Sequence, residues 1–398
     1  MRLFISAGEP SGDIHAANLI RSIRARCPDI EVVGFGGPHM IEAGATLIYP
    51  LVELAVMWFL RVLLNLRKFF DLADQAEAYF RDERPDAVVL IDYPGFHWHI
   101  AKRAKKYGIP VIYYVPPQLW AWAGWRVKKV KASVDVVLCS LPFEPAWYEA
   151  RGVLGATYVG HPFFDEQGDR PVDSAFLTEQ RLNTKPLVAI LPGSRTQEVT
   201  RNLPIMLKAA RRLAKTQPDV RFAVACLHDR HKALAARIAA KVDVDGIDLT
   251  LHAGKTVEII KSATAAWAVS GSVGLELMLE ALPTVVLYKV GRFDLLVANR
   301  FIKSKYISLV NLLADAELFP EYLTPIDVSD KLAAHAETWL SEPAERAKAS
   351  RALADLRDRV ARPGASDRAA KRIVEVASGR SGSSGAPHFG LAKEARPA

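Results

Sequence analysis

Asp92 closes the apolar run Ala87-Val88-Val89-Leu90-Ile91, and Pro94 and Gly95 follow it within three residues. A run of that kind reads as a buried parallel strand. The carboxylate therefore stands where a strand stops and the chain turns toward a helix. In open α/β sheets, ligands bind outside the carboxyl ends of the strands. A lone carboxylate there can take a proton from a substrate hydroxyl. Taken alone, a helix N-cap or a turn aspartate is the plainer reading of the same residue.

The second half carries a different chemistry. Gly193-Ser194-Arg195 lies between a predicted strand at 187–191 and a predicted helix at about 198–215. Backbone N–H groups at a helix start attract anions, and an arginine adds bidentate phosphate contacts. Gly271 and Ser272 follow another predicted strand at 266–270, with Glu276 one helical turn further on. A carboxylate at that depth can accept both hydroxyls of a ribose; it also suits a helix N-terminus on electrostatic grounds alone. Together the two corners favour a nucleotide diphosphate. A sugar diphosphate brings its own leaving group, so one base and a site that neutralises diphosphate charge suffice for glycosyl transfer. In-line attack would invert the anomeric centre. No His/Asp/Glu ligand cluster stands out in the sequence, so neither a metal nor a cofactor is expected.

These residues need a scaffold, and the pattern supplies one. Predicted strands at 2–6, 87–92, 110–115 and 135–139 alternate with helices at about 14–25 and 96–107. Such alternation implies a doubly wound parallel sheet. The polar stretch 166–185 marks a junction, after which 187–191, 220–226, 266–270 and 283–288 repeat the pattern, and 307–313 reads as a further strand. The expected organisation is two Rossmann-like α/β domains, 1–165 and 166–345, facing a cleft. Helices at 346–378 should pack back on the first domain or on a partner, and the Gly/Ser-rich tail 379–398 should be disordered. The small-residue loop Gly8-Glu9-Pro10-Ser11-Gly12 allows close ligand approach but lacks the Gly-Lys-Ser/Thr of a P-loop. Val32 to Gly37 only superficially suggests a dinucleotide fingerprint, because His39 occupies the third glycine position.

Composition bounds the rest. The 398 residues are half hydrophobic, with a formal net charge of +8 and a pI near 9.3. That surplus fits anionic partners without choosing among phosphates, nucleic acid and membrane. Three scattered cysteines, Cys27, Cys139 and Cys226, read as reduced thiols of a cytosolic protein. Met1-Arg2 runs directly into a strand, so no signal peptide is expected. The stretch 54–70 is too interrupted by Arg61, Arg67 and Lys68 to span a membrane. As a helix it would set Phe59, Val62, Leu63, Leu66 and Phe70 against a face of Arg61, Asn65 and Lys68. That pattern suits a membrane surface or an ordinary core-facing helix. Trp120, Trp122 and Trp125 precede Arg126, Lys128, Lys129 and Lys131. Aromatics beside cations suit nucleic acid, an anionic sugar–lipid, or a packed loop beside a solvated helix.

Further motifs run in a recognisable order: Ser6-Ala7-Gly8-Glu9-Pro10-Ser11-Gly12-Asp13, Glu53-Leu54-Ala55-Val56-Met57, Ile91-Asp92-Tyr93-Pro94-Gly95-Phe96 and Trp120-Ala121-Trp122. After them come Leu141-Pro142-Phe143-Glu144, Val159-Gly160-His161-Pro162, Leu191-Pro192-Gly193-Ser194-Arg195, Leu275-Glu276 and Ser308 to Leu313. The chain thereby resembles the lipid-A-disaccharide synthases, GT-B-fold glycosyltransferases of bacterial outer-membrane lipid synthesis. The resemblance implies transfer from UDP-2,3-diacylglucosamine to 2,3-diacylglucosamine 1-phosphate, giving a β(1→6) lipid A disaccharide 1-phosphate and UDP. It implies Asp92 as general base, and Ser194, Arg195, Gly271, Ser272, Glu276 and Asn311 on the UDP-sugar side. It implies Gly8, Glu9, Ser11, Trp120 and Trp122 near the diphosphate or acceptor, and Phe59, Val62, Leu63, Leu66 and Phe70 toward acyl chains. It also implies a peripheral protein on the cytoplasmic face of the inner membrane that binds no nucleic acid. Some members form dimers that exchange C-terminal elements, so a homodimer is open. Gln118 replaces a common serine, two residues are inserted before Arg126, and Val310 replaces a common proline.

Three other readings compete. Another UDP-sugar GT-B enzyme is one, either a lipid-linked transferase or an epimerase, although an epimerase needs acid/base groups on both sugar faces. A membrane-surface nucleotide-binding protein without turnover is the second, and an oxidoreductase the third.

Overall fold

The β-branched runs become the strands of two parallel sheets. The computed structural model describes residues 1–55, 66–166, 172–242, 244–301 and 304–379. The chain divides into two compact units. The first takes Met1–Leu119, Ala123–Gln167 and the segment from Pro363 on; the second takes Gly168–Arg362 with Trp120–Trp122.

Among the described residues the first unit holds β1 (Arg2–Ala7), β2 (Glu31–Phe35), β3 (Thr46–Tyr49), β4 (Ala87–Ile91), β5 (Val111–Tyr114), β6 (Val136–Cys139) and β7 (Ala156–Tyr158). Their order across the sheet is β3-β2-β1-β4-β5-β6-β7, and all pairs are parallel. Both faces are covered, as a parallel sheet requires. Phe4, Val88, Leu90, Val111 and Tyr113 enter one apolar cluster; Leu3, Ile5, Val89, Ile91 and Tyr114 enter the other. The strict alternation follows from the period of two along a strand.

The helix Ala365–Ala377 completes the second of these faces with Ala369, Ala370 and Ile373. Its start is held by the Asp165 carboxylate, which accepts from the backbone N–H groups of Gly364 at 2.6 Å and Ser366 at 2.7 Å. Arg26 adds a bidentate contact to Asp367. The helix Pro343–Val360, by contrast, packs within the second unit against Val273–Leu279 and Ser329–Ser341.

The second unit holds β8 (Leu187–Leu191), β9 (Arg221–Cys226), β10 (Asp248–Ala253), β11 (Ala265–Ala268), β12 (Thr284–Lys289) and β13 (Glu321–Thr324). Their order is β10-β9-β8-β11-β12-β13. Each sheet therefore reverses its strand order once, between β1 and β4 and between β8 and β11. Those are the topological switch points, where the crevice of a doubly wound fold opens.

One expected strand is a helix. Ser308 accepts a bond from the backbone of Asn311 and starts the helix Leu309–Ala314. A run of seven with five apolar residues fits a buried helix or a strand equally, and the serine cap decides it here.

The predicted amphipathic stretch largely falls outside the described residues: Phe59, Val62 and Leu63 lie there, as does the side chain of Leu66. Phe70 sits on the helix Leu66–Glu83, half exposed, with its ring edge against His99. Among the described residues no helix is long and apolar enough to cross a membrane. The three cysteines are free thiols.

Candidate active site

β1 and β4 are neighbours, with Ala7 opposite Ile91 at their carboxyl ends. The loop Gly8-Glu9 and the residue Asp92 therefore leave the sheet side by side at the first switch point. Asp92 has φ of +49° and Tyr93 of +46°. Two successive left-handed residues without a glycine are uncommon and strained. Tyr93, not Asp92, is the N-cap of the helix Pro94–Lys106, and Pro94 follows at its first position. Gly8 explains part of the turn: a Cβ there would lie 2.3 Å from the Tyr93 ring. Gly8 is thus the floor on which Tyr93 rests.

The Asp92 carbonyl is held from two sides. The Tyr113 hydroxyl donates to it at 2.6 Å, and Nδ1 of His97 lies 2.7 Å away. The Asp92 carboxyl is pushed up from its ordinary 3.8 to about 6, chiefly by burial and then by the Glu9 carboxylate. The backbone N–H of Tyr93 and the His15 ring oppose that rise. His15 itself contacts Glu166, Nδ1 to Oε1 at 2.7 Å. A carboxylate poised near neutrality suits proton abstraction. Ser11 is exposed in the first turn of the helix Pro10–Arg26. Trp120 and Trp122 lie on the short helix Leu119–Trp122, Trp122 about half exposed.

The second switch point is built differently. β8 and β11 are neighbours, with Leu191 opposite Ala268, so Gly193-Ser194-Arg195 and Gly271-Ser272 emerge side by side. Ser194, Arg195, Gly271 and Ser272 are exposed, and Glu276 is half-buried on the helix Val273–Leu279. Ser272 makes no capping bond with its side chain. Arg195 begins the helix Thr196–Thr216. The donors expected to await an anion there already have one. The Glu198 carboxylate accepts from the backbone N–H of Ser194 at 3.0 Å and of Arg195 at 3.2 Å. Gly193, with φ of +116°, leaves the room, since a Cβ would lie 2.5 Å from the Glu198 side chain. A depression beside this loop is lined by Arg195, Glu198, Arg201, Asn202, Tyr288 and Lys289. The Asn311 side chain has all its hydrogen-bonding groups engaged within the protein. It is fully buried, donating to Phe319 O and Glu321 and accepting from the N–H groups of Leu318 and Phe319.

Sequence reasoning underrated Ser6, His97, Tyr113 and Glu198. His97 had a signal, because it lies one helical turn beyond Asp92. Ser6 and Tyr113 had none, because strand neighbours are set by sheet order. Among the described residues no group of three His, Cys, Asp or Glu side chains is arranged to hold a metal.

The comparisons agree with the two parallel α/β sheets. A family model described as lipid-A-disaccharide synthetase matches residues 3–374. A lipid-A-disaccharide synthase of Anaeromyxobacter dehalogenans strain 2CP-1 is 36% identical over 377 residues, 94% of this chain and 97% of its own length. That of Myxococcus xanthus is 34% identical over 378 residues, with the same coverage. Among solved structures, the S. aureus MnaA–UDP co-structure is similar with a TM-score of 0.65 at 13% identity, covering 94% of this chain and 96% of that one. The calicheamicin glycosyltransferase CalG4 gives 0.59 at 14%, covering 96% and 99%. At such identities the solved structures speak for the GT-B fold alone, while the sequence relatives speak for kinship. The chain belongs to the lipid-A-disaccharide synthase family.

Proposed function

We propose that the protein transfers the sugar of UDP-2,3-diacylglucosamine to the 6-hydroxyl of 2,3-diacylglucosamine 1-phosphate, with inversion and release of UDP. The activity class, synthesis of the lipid A disaccharide, follows from family membership; the substrates and residue roles are our reading. Asp92 takes the proton of the acceptor hydroxyl as its oxygen attacks the anomeric carbon. The bond from that carbon to the diphosphate oxygen breaks, and the electron pair leaves on UDP. Arg195, with Ser194 and Ser272, meets the developing diphosphate charge. Glu276 accepts from the ribose. Asn311 supports its loop and touches no ligand. Glu9 and Ser11 line the acceptor side with Trp120 and Trp122, and Phe70 belongs to a membrane-facing surface.

The observation that carries this reading is Asp92 itself: a strained, half-buried carboxyl with its pKa near 6 at a switch point. The test is UDP release from UDP-2,3-diacylglucosamine, with and without the monosaccharide 1-phosphate, for the wild type and Asp92→Asn. We expect acceptor-dependent release that falls roughly 10²–10⁴-fold in the variant while UDP binding persists. Release independent of acceptor would make the protein a hydrolase and overturn the proposal.

A further inference from the structure

We propose that His97 is a positioning residue for this reaction, holding the Asp92–Tyr93 turn in its left-handed form as a neutral imidazole that carries its proton on Nδ1. The inference rests on the reading of Asp92 as the base and adds how that base is aimed.

The proton assignment follows from the partners. A carbonyl oxygen only accepts, so Nδ1 of His97, 2.7 Å from the Asp92 carbonyl, must donate. His97 is completely buried, and burial drives its pKa down from 6.5 to about 4, so the ring is neutral at physiological pH. A neutral ring protonated on Nδ1 has a lone pair on Nε2. The buried Ser6 hydroxyl, 2.8 Å away, therefore donates to Nε2. The chain of donors runs from Ser6 on β1, through His97 on the helix Pro94–Lys106, to the carbonyl of Asp92 beyond β4. Tyr113 on β5 donates to that same carbonyl from the neighbouring strand.

Fixing one carbonyl oxygen from two directions fixes the plane of the Asp92–Tyr93 peptide. That plane sets ψ of Asp92 and φ of Tyr93, the angles an unsupported turn would relax. The Tyr93 ring rests on Gly8 and against the His97 ring, with centroids 5.9 Å apart. The carboxylate direction is thus decided by groups that never touch substrate. The groups facing the carboxyl, Glu9, His15 and Tyr93, would meet it differently if the turn relaxed.

Two variants separate the roles of the ring nitrogens. The amide nitrogen of asparagine falls near Nδ1 of histidine, whereas that of glutamine falls near Nε2. His97→Asn should keep the donor to the Asp92 carbonyl and stay within about threefold of the wild-type kcat. His97→Gln should lose that donor and fall roughly 10–100-fold in kcat, as expected for a misaimed catalytic group. KM for the UDP-sugar should hold within about twofold, and UDP binding and melting temperature serve as controls for folding. In the glutamine variant the acidic limb of kcat/KM should move down from near pH 6, and asparagine should restore it. On the Asp92→Asn background either His97 change should cost little more, because an absent base cannot be misaimed. Nitrogen-15 NMR of labelled histidine reads the tautomer directly. A proton found on Nε2, or a glutamine variant as active as the asparagine one, would overturn the positioning role. Full turnover in Asp92→Asn alone would overturn the base assignment instead, which makes the two failures distinguishable.

Discussion

The two switch points share a topology and differ in finish. At the first, between β1 and β4, the functional carboxyl is half-buried and its backbone is strained and doubly hydrogen-bonded. At the second, between β8 and β11, the functional side chains are exposed. Arg195 keeps 75% of its side-chain surface and leans on Glu198 at 3.4 Å. Under the proposed roles the difference has a reason: proton transfer tolerates little misplacement, which suits a locked and desolvated Asp92. Capture of a diphosphate depends on charge over a longer range, which suits residues that stay solvated until a ligand orders them. On that proposal the first switch point is a rigid end for chemistry and the second an open end for binding.

The largest test of that contrast compares Asp92→Asn with Arg195→Ala. The first should cost roughly 10²–10⁴-fold in kcat with little change in KM for the UDP-sugar. The second removes a charge-assisted contact of about 1.5–3 kcal/mol and should raise that KM roughly 10–150-fold. Only the second effect should shrink as salt rises from 50 to 500 mM, because only that residue is exposed. Equal salt sensitivity in steady-state kinetics would break the comparison.

A middle-sized effect concerns stability. The Asp92 carboxyl has a folded-state pKa of about 6 against an ordinary 3.8. A folded pKa above the unfolded one means that this group contributes stability below about pH 4, and that the contribution is lost as pH rises through about 6. Two units correspond to about 3 kcal/mol at most, and partial exposure reduces that to about 1–2. Asp92→Asn, which cannot ionise, should therefore outlast the wild type in urea at pH 7.5 by about 1–2 kcal/mol and lose most of that advantage at pH 4. A gain independent of pH would instead reflect asparagine's ease in left-handed backbone, and the desolvated picture of the first switch point would fail.

The contrast was only partly legible beforehand. Alternating apolar runs reveal strands, and turn residues mark their ends, so Asp92, Ser194, Arg195 and Ser272 could be found at strand ends from local pattern. What surrounds those ends depends on sheet order. Nothing local says that Ser6 and Tyr113 flank Asp92. The run Ile307 to Leu313 hid its helix because five apolar residues among seven carry no decisive period. Asn311 then looked available when it was in fact consumed by residues 318–321. Glu198 was visible as a residue but not as an occupant, since its reach back to Ser194 depends on the glycine geometry at 193.

The smallest effect sharpens the second switch point. Glu198 offers its carboxylate to the very N–H groups that a diphosphate would use. Its charge then opposes the arriving ligand, while its hydrogen bonds hold the loop open for Arg195. Glu198→Gln separates the two, because the amide oxygen can still accept both backbone bonds and the negative charge is gone. Two charges about 6 Å apart in a solvated site interact by about 0.5–1 kcal/mol. UDP should therefore bind roughly two- to fivefold more tightly to Glu198→Gln in calorimetry, with the melting temperature unchanged. Glu198→Ala should lower stability by about 1 kcal/mol through loss of the cap. Weaker UDP binding in the glutamine variant would mean that the carboxylate's pull on Arg195 matters more than its repulsion of the ligand. The loop would then be pre-set for its ligand, and the second switch point would resemble the first more closely than its exposure suggests.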